Sequence, residues 1–229
     1  MLSHRLLLKS GYISQLSAGI FSFTPMGWRV ISNIKKIIDD EMKKINCFES
    51  NLPVIQPSDI WKQSGRIDSF IPPLANFQDR RDKKMIIAPT HEEAVIDLVK
   101  NYLRSFRDLP FSLSHIQTKF RDETRPRGGL LRVREFEMKD AYSFHADEKS
   151  LDETFEKFSK AYFNIFKKCG LNVVKVAADS GAIGGKVSSE FVSLSDSGED
   201  TILMCDSCSY SANEEKAEFI RFVKEPLNY

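Results

Sequence analysis

The chain has 229 residues, of which 41% are hydrophobic and 28% charged, and its formal net charge at pH 7 is +1. This composition is ordinary for a globular protein with one large domain or two small ones. It excludes a strongly basic protein with a general affinity for nucleic acid, so any phosphate contact has to come from a local cluster of cations. No apolar run reaches the roughly eighteen residues of a membrane span, and no membrane partner is expected.

The cysteine content and the N-terminal sequence indicate the cellular compartment of the protein. The four cysteines are too few for a disulfide framework in a chain of this length, which favours a reducing compartment. They are Cys47, Cys169, Cys205 and Cys208. The first 21 residues begin with basic residues, but Lys9, Ser10 and Gln15 interrupt their apolar patches, so they indicate a folded segment rather than a signal peptide.

The first predicted helix covers residues 27–45. Its apolar residues recur at intervals of three and four, which is the period of an amphipathic helix. They are Trp28, Ile31, Ile34, Ile38, Met42 and Ile45. An extended run follows from Phe48 to Gln56, interrupted by Pro53 and closed by Pro57. Proline inside the run favours an edge or interface strand over a central one.

A short buried strand is predicted from Met85 to Ala88, followed by a helix. Thr90 with Glu93 three residues later is a capping-box pattern that opens this helix. Two longer strands are predicted further on, Phe111–Phe120 and Leu131–Phe144, on either side of a loop rich in arginine and glycine.

The last third of the chain begins with a second capping-box pattern, Ser150 with Glu153. It opens an amphipathic helix that runs to Cys169 and is ended by Gly170. Short strands are then predicted at 172–178, 190–195 and 200–204. Helices mixed with runs of neighbouring strands favour an α+β fold with a largely antiparallel sheet over a doubly wound fold.

The stretch Phe120–Phe144 contains the strongest functional signal. Between Lys119 and Arg134 there are six basic side chains: Lys119, Arg121, Arg125, Arg127, Arg132 and Arg134. Arginine presents paired donors to phosphate or carboxylate, and the two loop glycines allow close backbone approach. Phe136 offers a ring for stacking a base, and Glu123 either accepts from an exocyclic amine or holds an arginine. The competing interpretation is a solvated, salt-bridged hairpin.

Other motifs carry less weight. The Gly181–Lys186 stretch is one residue short of a phosphate-binding loop, and Val187 stands where Ser or Thr would bind Mg²⁺, so it is interpreted as a turn. Cys205 and Cys208 have metal-ligand spacing but supply only half of a zinc site. The histidines do not cluster with a nucleophile and an acid in the manner of a hydrolase triad.

Several motifs in the same order resemble the class II aminoacyl-tRNA synthetases, in the form found in bacterial prolyl-tRNA synthetases. Phe120–Phe144 resembles motif 2, Pro89–Glu93 resembles the proline-binding loop, and the helix 27–45 with the strand ending at Pro53 resembles motif 1, the dimerisation element. Further matches are Ala178–Gly185, Ser189–Phe191, Gly198–Asp200 and Ala212–Asn213. The resemblance covers nearly the whole chain.

The resemblance implies a proline–tRNA ligase that activates L-proline with ATP to prolyl-adenylate and transfers it to tRNA(Pro). ATP would enter with Mg²⁺ as the substrate complex, with no tightly bound cofactor. The resemblance further implies a cytoplasmic homodimer formed through the motif 1 helix and strand.

The family's residue roles fall on matching positions. Arg121 would be the catalytic residue, contacting the ATP α-phosphate and the proline carboxylate, while Thr90 and Glu92 would hold the proline imino group. The remaining ATP contacts would be Glu123 to the adenine amino group, Phe136 stacked on the adenine and Arg132 on the terminal phosphates. For Asp140 two alternatives stand, helping to hold Mg²⁺ or pairing with a hairpin arginine, and the pair is favoured. Arg134 and Lys139 are interpreted as structural or solvated, and Glu93 as a helix cap.

The chain also departs from the family pattern. No segment resembles motif 3, the editing insertion or the anticodon-binding domain, and Ser189 stands where many relatives carry His. We therefore expect residues 1–213 to be a partial catalytic core, residues 214–229 to begin a truncated insertion or tail, and the 229 residues alone not to catalyse proline-dependent ATP–pyrophosphate exchange. The alternative is a non-catalytic, synthetase-like paralogue that dimerises or binds a ligand. A threonyl or seryl relative is disfavoured by the Pro89–Glu93 run.

Overall fold

The computed structural model describes residues 1–179, 187–195 and 198–218. The chain divides into two compact units, Met1–Ala161 and Tyr162–Tyr229, which are described separately. Within the described residues, no helix combines the length and the apolar character needed to cross a membrane.

The first unit contains four helices, eight strands and one 3-10 turn in its described elements. They are α1 (Leu2–Lys9), β1 (Ile13–Ser17), β2 (Ile20–Phe23), α2 (Pro25–Lys44), β3 (Phe48–Glu49), β4 (Ile55–Pro57), α3 (Ser58–Gln63), β5 (Asn76–Gln78), β6 (Lys84–Ile87), α4 (Glu92–Tyr102), the 3-10 turn Phe106–Asp108, β7 (Phe111–Phe120) and β8 (Glu135–Phe144). A fifth helix, α5 (Glu148–Lys168), contains the boundary between the units.

The predicted helix at 27–45 is confirmed as α2, which begins two residues earlier than expected. Thr24 is its N-cap, with the side chain accepting from the Gly27 amide at 3.3 Å, and Pro25 occupies the first turn. Threonine is favoured at the N-cap because it accepts a hydrogen bond from an amide that has no partner inside the helix. Proline is favoured in the first turn because it has no amide hydrogen that needs a partner.

The predicted extended run from Phe48 divides into two strands that belong to different sheets. β3 pairs in parallel with β7, whereas β4 pairs antiparallel with β6. The second sheet has the order β4-β6-β5, and the first has the order β3-β7-β8. Pro53 lies between the two strands, where a missing amide donor interrupts no ladder.

The β7–β8 hairpin is the longest pairing of the unit, with register from Phe111 opposite Phe144 to Phe120 opposite Glu135. β8 begins at Glu135 and not at the expected Leu131, because Arg127 and Arg132 pair with each other and close a separate tip. Gly128 and Gly129 have φ near +70° within that tip, which L side chains rarely adopt.

The two faces of this hairpin have different surroundings. On one face Glu137 pairs with Lys35 of α2 at 2.7 Å, and Lys139 lies over the ring of Phe158 of α5. Lys139 is half-buried, and this burial lowers its pKa to about 8. The opposite face contains the alternate residues that include Lys119 and Phe136, since directly paired residues point to the same side of a sheet.

Two predicted capping boxes are wrong. α4 has His91 at its N-cap with no side-chain cap, and Glu93 instead bonds to Ser64 and Arg66. α5 begins at Glu148, before Ser150, and the Ser150 amide donates to the side chain of Asp147 at 2.8 Å. At α4, Glu93 bonds to other side chains instead of capping the helix. At α5, Asp147 takes the capping role that the pattern assigned to Ser150.

Two hydrophobic clusters support the first unit. One joins α4 to the hairpin through Val95, Val99 and Leu113, and the other packs Trp61 of α3 against Leu74 and Ile86. Trp61 is fully buried, and its indole nitrogen donates to Gln56 at 2.8 Å, which satisfies its polar group.

The second unit contains a four-stranded sheet. Its strands are β9 (Val174–Ala178), β10 (Ser188–Val192), β11 (Ile202–Met204) and β12 (Ser211–Asn213), in the order β10-β9-β12-β11. The strands expected at 172–178, 190–195 and 200–204 correspond to the first three, and β12 was not predicted. Phe191 packs against Tyr162, Phe163 and Phe166 of α5.

The α+β prediction with largely antiparallel pairing is confirmed for the described residues. The strand pairs of these residues are antiparallel except for β3 with β7 and β12 with β9.

Candidate active site

Two segments that are distant in sequence meet beside the start of the arginine loop. The Phe120 amide donates to the Ala88 carbonyl at 2.9 Å, and Arg121 Nε donates to the Pro89 carbonyl at 3.2 Å. These two bonds place the segment that ends in Thr90 alongside the segment that begins the loop. The residues expected to bind proline are thereby brought to one place.

Arg121 lies against an aromatic ring. Its guanidinium carbon is 5.5 Å from the centre of the Phe136 ring, within the range of a cation–π contact. Among the described residues, the bond to Pro89 is the only hydrogen bond that the Arg121 side chain makes. Its two terminal nitrogens therefore have donors to offer an anionic ligand.

Glu92 is held by its neighbours but stays accessible. Thr90 Oγ1 donates to Glu92 Oε2 at 2.5 Å, and Arg66 Nη1 approaches the same oxygen at 3.3 Å. Thr90 is buried, whereas the Glu92 side chain is 35% exposed. A carboxylate fixed in this way can accept from an amine without first losing side-chain freedom.

Glu93 has a separate role in holding α3 to α4. Its Oε1 accepts from Ser64 Oγ and from Arg66 Nη1, each at 2.9 Å. A cavity of about 380 Å³ beside these residues is lined by Arg66, Glu92 and Glu93 but by neither Thr90 nor Arg121. We therefore place the candidate site on the side of Glu92 that adjoins Thr90 and the hairpin.

The cations of the arginine loop are mostly paired. Arg132 Nε donates to Glu123 Oε2 at 2.9 Å, and this bond is the main cause of the lowered pKa of Glu123. Arg134 pairs with Asp122 and lies over the ring of Phe120. Glu123 thus holds an arginine, which was one of the two alternatives left open for it. Arg134 is structural rather than solvated.

Lys119 is not part of the accessible cationic cluster, which corrects the sequence-based count of six cations. It is fully buried, and its Nζ donates to Asp140 Oδ2 at 2.5 Å and to His91 Nδ1. His115 Nε2 lies 2.9 Å from the same Asp140 oxygen, and the Tyr142 hydroxyl donates to it at 3.1 Å. We refer to Lys119, His91, His115, Asp140 and Tyr142 as the lysine cluster.

The protonation of the lysine cluster follows from its burial. Burial, followed by the Lys119 charge, lowers the pKa of His91 to about 4, so this ring is neutral at pH 7. Its Nε2 donates to the Pro53 carbonyl at 3.1 Å, which leaves Nδ1 as the acceptor for Lys119. Burial disfavours the Asp140 carboxylate, but hydrogen bonds from His115 and Lys119 outweigh it and lower its pKa to about 2.

A metal ion does not fit the lysine cluster. Ligand atoms of His91, His115 and Asp140 lie within 4.8 Å of one another, which is a plausible spacing for a metal. The ammonium of Lys119, however, contacts all three of them. The Asp140 carboxylate is therefore engaged with a lysine, not with the expected arginine, and is unavailable to Mg²⁺.

Other sequence-based candidates lie elsewhere. Cys205 and Cys208 are exposed in the second unit, and among the described residues no third metal ligand accompanies them. Ser189 is in β10, opposite Ala177. The glycine-rich stretch 181–186 lies outside the described residues.

Sequence reasoning missed Arg66 and the lysine cluster. The register of the hairpin could have indicated the cluster. Two ten-residue strands joined by a loop centred near residue 127 place His115 opposite Asp140. No comparable signal exists for Arg66, which lies 26 positions before Glu92 in a loop.

Known proteins resemble this chain in sequence. The family model for the tRNA synthetase class II core domain (G, H, P, S and T) matches residues 76–221. The proline–tRNA ligase of Dehalococcoides mccartyi is 52% identical over 227 residues, which are 98% of this chain and 40% of that protein. That of Solidesulfovibrio magneticus is 51% identical over 220 residues, 96% of this chain and 38% of that protein. The chain thus spans about 40% of the length of these relatives.

Solved structures show the same fold. Prolyl-tRNA synthetase from Giardia lamblia in complex with prolyl-adenylate superposes with a TM-score of 0.70, at 22% identity, over 76% of this chain and 36% of that one. The Cryptosporidium parvum enzyme complexed with halofuginone and AMPPNP gives 0.74, at 19% identity, over 82% and 40%. With a family model that covers well over half of its length, the chain belongs to the class II tRNA synthetase core domain family.

Proposed function

We propose that this chain supplies the proline- and ATP-binding part of a proline–tRNA ligase, which forms prolyl-adenylate from L-proline and ATP and transfers the prolyl group to tRNA(Pro). The observation that carries the proposal is the bond from Arg121 Nε to the Pro89 carbonyl, because it sets Arg121 beside Thr90 and Glu92. The names of the two relatives described above, both proline–tRNA ligases at about half identity, support it.

In this proposal Arg121 is the catalytic residue. The proline carboxylate attacks the α-phosphorus of ATP, and pyrophosphate leaves. Both partners are anionic, so the barrier falls when a fixed cation neutralises them and holds them together. The terminal nitrogens of Arg121 can contact the proline carboxylate and the α-phosphate, and no general base is needed because the carboxylate is already ionised at pH 7.

Glu92 and Thr90 bind the other end of the amino acid. The proline imino group is cationic in its free form, and the partly exposed Glu92 carboxylate accepts from it. Thr90 keeps that carboxylate in place through the 2.5 Å bond, while Arg66 supports it from the α3 side.

The nucleotide occupies the hairpin. Phe136 stacks on the adenine, Glu123 accepts from its amino group and Arg132 reaches the terminal phosphates. ATP binding then exchanges the Arg132–Glu123 pair for contacts to the nucleotide, at a modest cost because Arg132 is 49% exposed. Mg²⁺ arrives with ATP as the substrate complex, and Asp140 does not take part.

We further propose a cytoplasmic homodimer whose catalytic core covers residues 1–213, with 214–229 outside it. Apolar side chains of α2 and β3 support the dimer: Trp28 is 47% exposed, Val30 44% and Phe48 61%. These side chains lie on the two elements that the resemblance assigns to the dimer interface, where a partner chain would cover them.

Binding of non-hydrolysable sulfamoyl analogues of aminoacyl-adenylates tests the assignment of the amino acid. We expect the 229-residue chain to bind the prolyl analogue with one site per chain, and the threonyl and seryl analogues at least about tenfold more weakly, a difference of about 1.4 kcal/mol. Equal affinity for all three, or a preference for threonyl or seryl, would reject proline as the substrate.

A further inference from the structure

Cys205 and Cys208 lie together in the turn that joins β11 to β12. The pairing of Met204 with Ser211 closes this turn, and the Cys205 amide donates to the Tyr210 carbonyl at 3.0 Å. Both thiols are exposed. The turn therefore presents two sulfur atoms to solvent on a backbone that is fixed at both ends.

The turn stabilises the thiolate form of Cys205. Its Sγ accepts from the Ser207 amide at 3.4 Å, and the Cys208 thiol and amide are further donors to it. These hydrogen bonds, that of Ser207 first, lower the pKa of Cys205. The thiolate is the nucleophile in thiol–disulfide exchange, and the neighbouring Cys208 supplies the second sulfur.

The other two cysteines lack these properties. Cys47 is buried at 4% exposure, and burial raises its pKa. Cys169 is partly buried near the end of α5. Selective chemistry at the turn is therefore expected from geometry and exposure together.

We propose that Cys205 and Cys208 form a reversible intramolecular disulfide by exchange with a low-molecular-weight disulfide. The Cys205 thiolate attacks one sulfur of glutathione disulfide, giving a Cys205–glutathione mixed disulfide and one glutathione thiolate. Cys208 then loses its proton and attacks the Cys205 sulfur, which forms the Cys205–Cys208 bond and expels the second glutathione. Two protein thiols are oxidised and one glutathione disulfide is reduced to two thiols, so atoms and electrons balance.

A zinc site is the competing use of the same pair. Tetrahedral zinc takes four ligands, and two cysteines provide half of them. Among the described residues, the group with metal-like spacing is His91, His115 and Asp140 in the other unit, and neither cysteine belongs to it. The observations therefore favour the disulfide, which needs only the two sulfurs present.

Mass spectrometry of the intact 229-residue chain tests this inference independently of any synthetase activity. The reduced chain is incubated with glutathione disulfide, quenched with iodoacetamide and digested with trypsin. Peptide 187–216 contains Cys205 and Cys208 and neither of the other cysteines. We expect this peptide to lose two hydrogens, to resist alkylation at both positions together, and to recover both thiols with dithiothreitol, while Cys47 stays reduced.

Single serine variants separate the two steps. Cys208→Ser is expected to stop at a stable mixed disulfide with one glutathione on Cys205, and Cys205→Ser to react several times more slowly at Cys208. Mixed disulfides as the final product in the parent chain would overturn the proposal, as would equal reaction rates in the two variants. A chain isolated with one zinc per two copies, whose thiols react only after chelation, would replace the disulfide with a shared metal site.

Discussion

Arg121 and Pro89 are joined by a 3.2 Å hydrogen bond from the Arg121 Nε to the Pro89 carbonyl. This bond leaves the terminal guanidinium nitrogens for a ligand and places Arg121 beside Thr90. Behind it, the buried Lys119 donates to His91, the residue after Thr90. The candidate site therefore adjoins a buried charged cluster.

Replacing Lys119 with Met should destabilise the fold strongly. Asp140 would remain largely enclosed, with its side chain 11% exposed and no cation beside it. Removing one partner of a buried ion pair costs about 3–5 kcal/mol. The free energy of unfolding, measured by urea titration, should fall by that amount.

A double variant and a surface control complete this test. Lys119→Met with Asp140→Asn should recover part of the loss, because the uncompensated charge is gone. Lys62→Met breaks an exposed pair with Asp59 and should cost less than about 1 kcal/mol. Similar losses for Lys119→Met and Lys62→Met would show that the lysine cluster carries no such stabilisation.

His91 should make the protein sensitive to acid. Its pKa is about 4 in the folded state against 6.5 for an ordinary histidine, so between these values the unfolded chain binds a proton that the native chain does not. The free energy of unfolding therefore falls as pH drops from 6.5 towards 4, by up to about 3 kcal/mol. Below pH 3.8 Asp140 adds a further loss, which continues to about pH 2.

His91→Gln isolates the histidine part of this dependence. The glutamine amide can donate to the Pro53 carbonyl and accept from Lys119 without titrating. Urea titrations between pH 7 and pH 4 should show a shallower fall in unfolding free energy for the variant. Identical slopes in the two proteins would remove His91 as the cause.

Gly129 should be essential to the loop tip. At φ +68°, an added Cβ would lie 2.6 Å from the Cβ of His4 in α1. Gly65 has φ +73° with nothing within 4 Å, so Gly65→Ala carries only the left-handed penalty of about 1–2 kcal/mol. Gly129→Ala should cost more than this and also weaken binding of the prolyl-adenylate analogue. Equal unfolding free energies and unchanged binding would indicate that the tip can move without consequence.

The proposed dimer predicts a specific effect of charge at Phe48. Phe48→Glu should convert the dimer to monomers, as measured by light scattering, because a carboxylate buried in an apolar contact has no partner there. Phe106→Glu is the matched control, since Phe106 is 74% exposed on the 3-10 turn outside α2 and β3. A parent chain that is monomeric, or a control that dissociates equally, would contradict the assigned surface.

Long segments with a regular apolar pattern were predictable from sequence, whereas the sequence patterns that mark helix ends were less reliable. β7 was predicted with its observed bounds, Phe111–Phe120, and α2 within two residues. Glu93 follows a capping-box pattern, but a salt bridge with Arg66 outweighs the weaker local bond. β12 has three residues, too few for an alternation to show.

The proximity of the candidate site residues was predictable from sequence, whereas their surroundings were less so. Thr90, Glu92 and Arg121 lie together as expected from motif order. Lys119 was assigned to the accessible cations because it is two residues from Arg121 and was therefore expected on the same face of the strand. Tertiary packing, which the sequence pattern does not show, buries Lys119 and not Arg121. The pairing of Glu123 with Arg132 likewise depends on the shape of the loop tip.

Affinity of the 229-residue chain for the sulfamoyl analogue of prolyl-adenylate, compared between the parent and Arg121→Ala, tests the central claim most directly. Loss of this charge contact should cost about 3 kcal/mol, which is roughly a hundredfold in affinity. Arg107→Ala, which removes an arginine stacked on Phe106 outside the site, should leave the affinity unchanged. Near-parental binding by Arg121→Ala would contradict the assignment of Arg121 to the reacting carboxylate and phosphate.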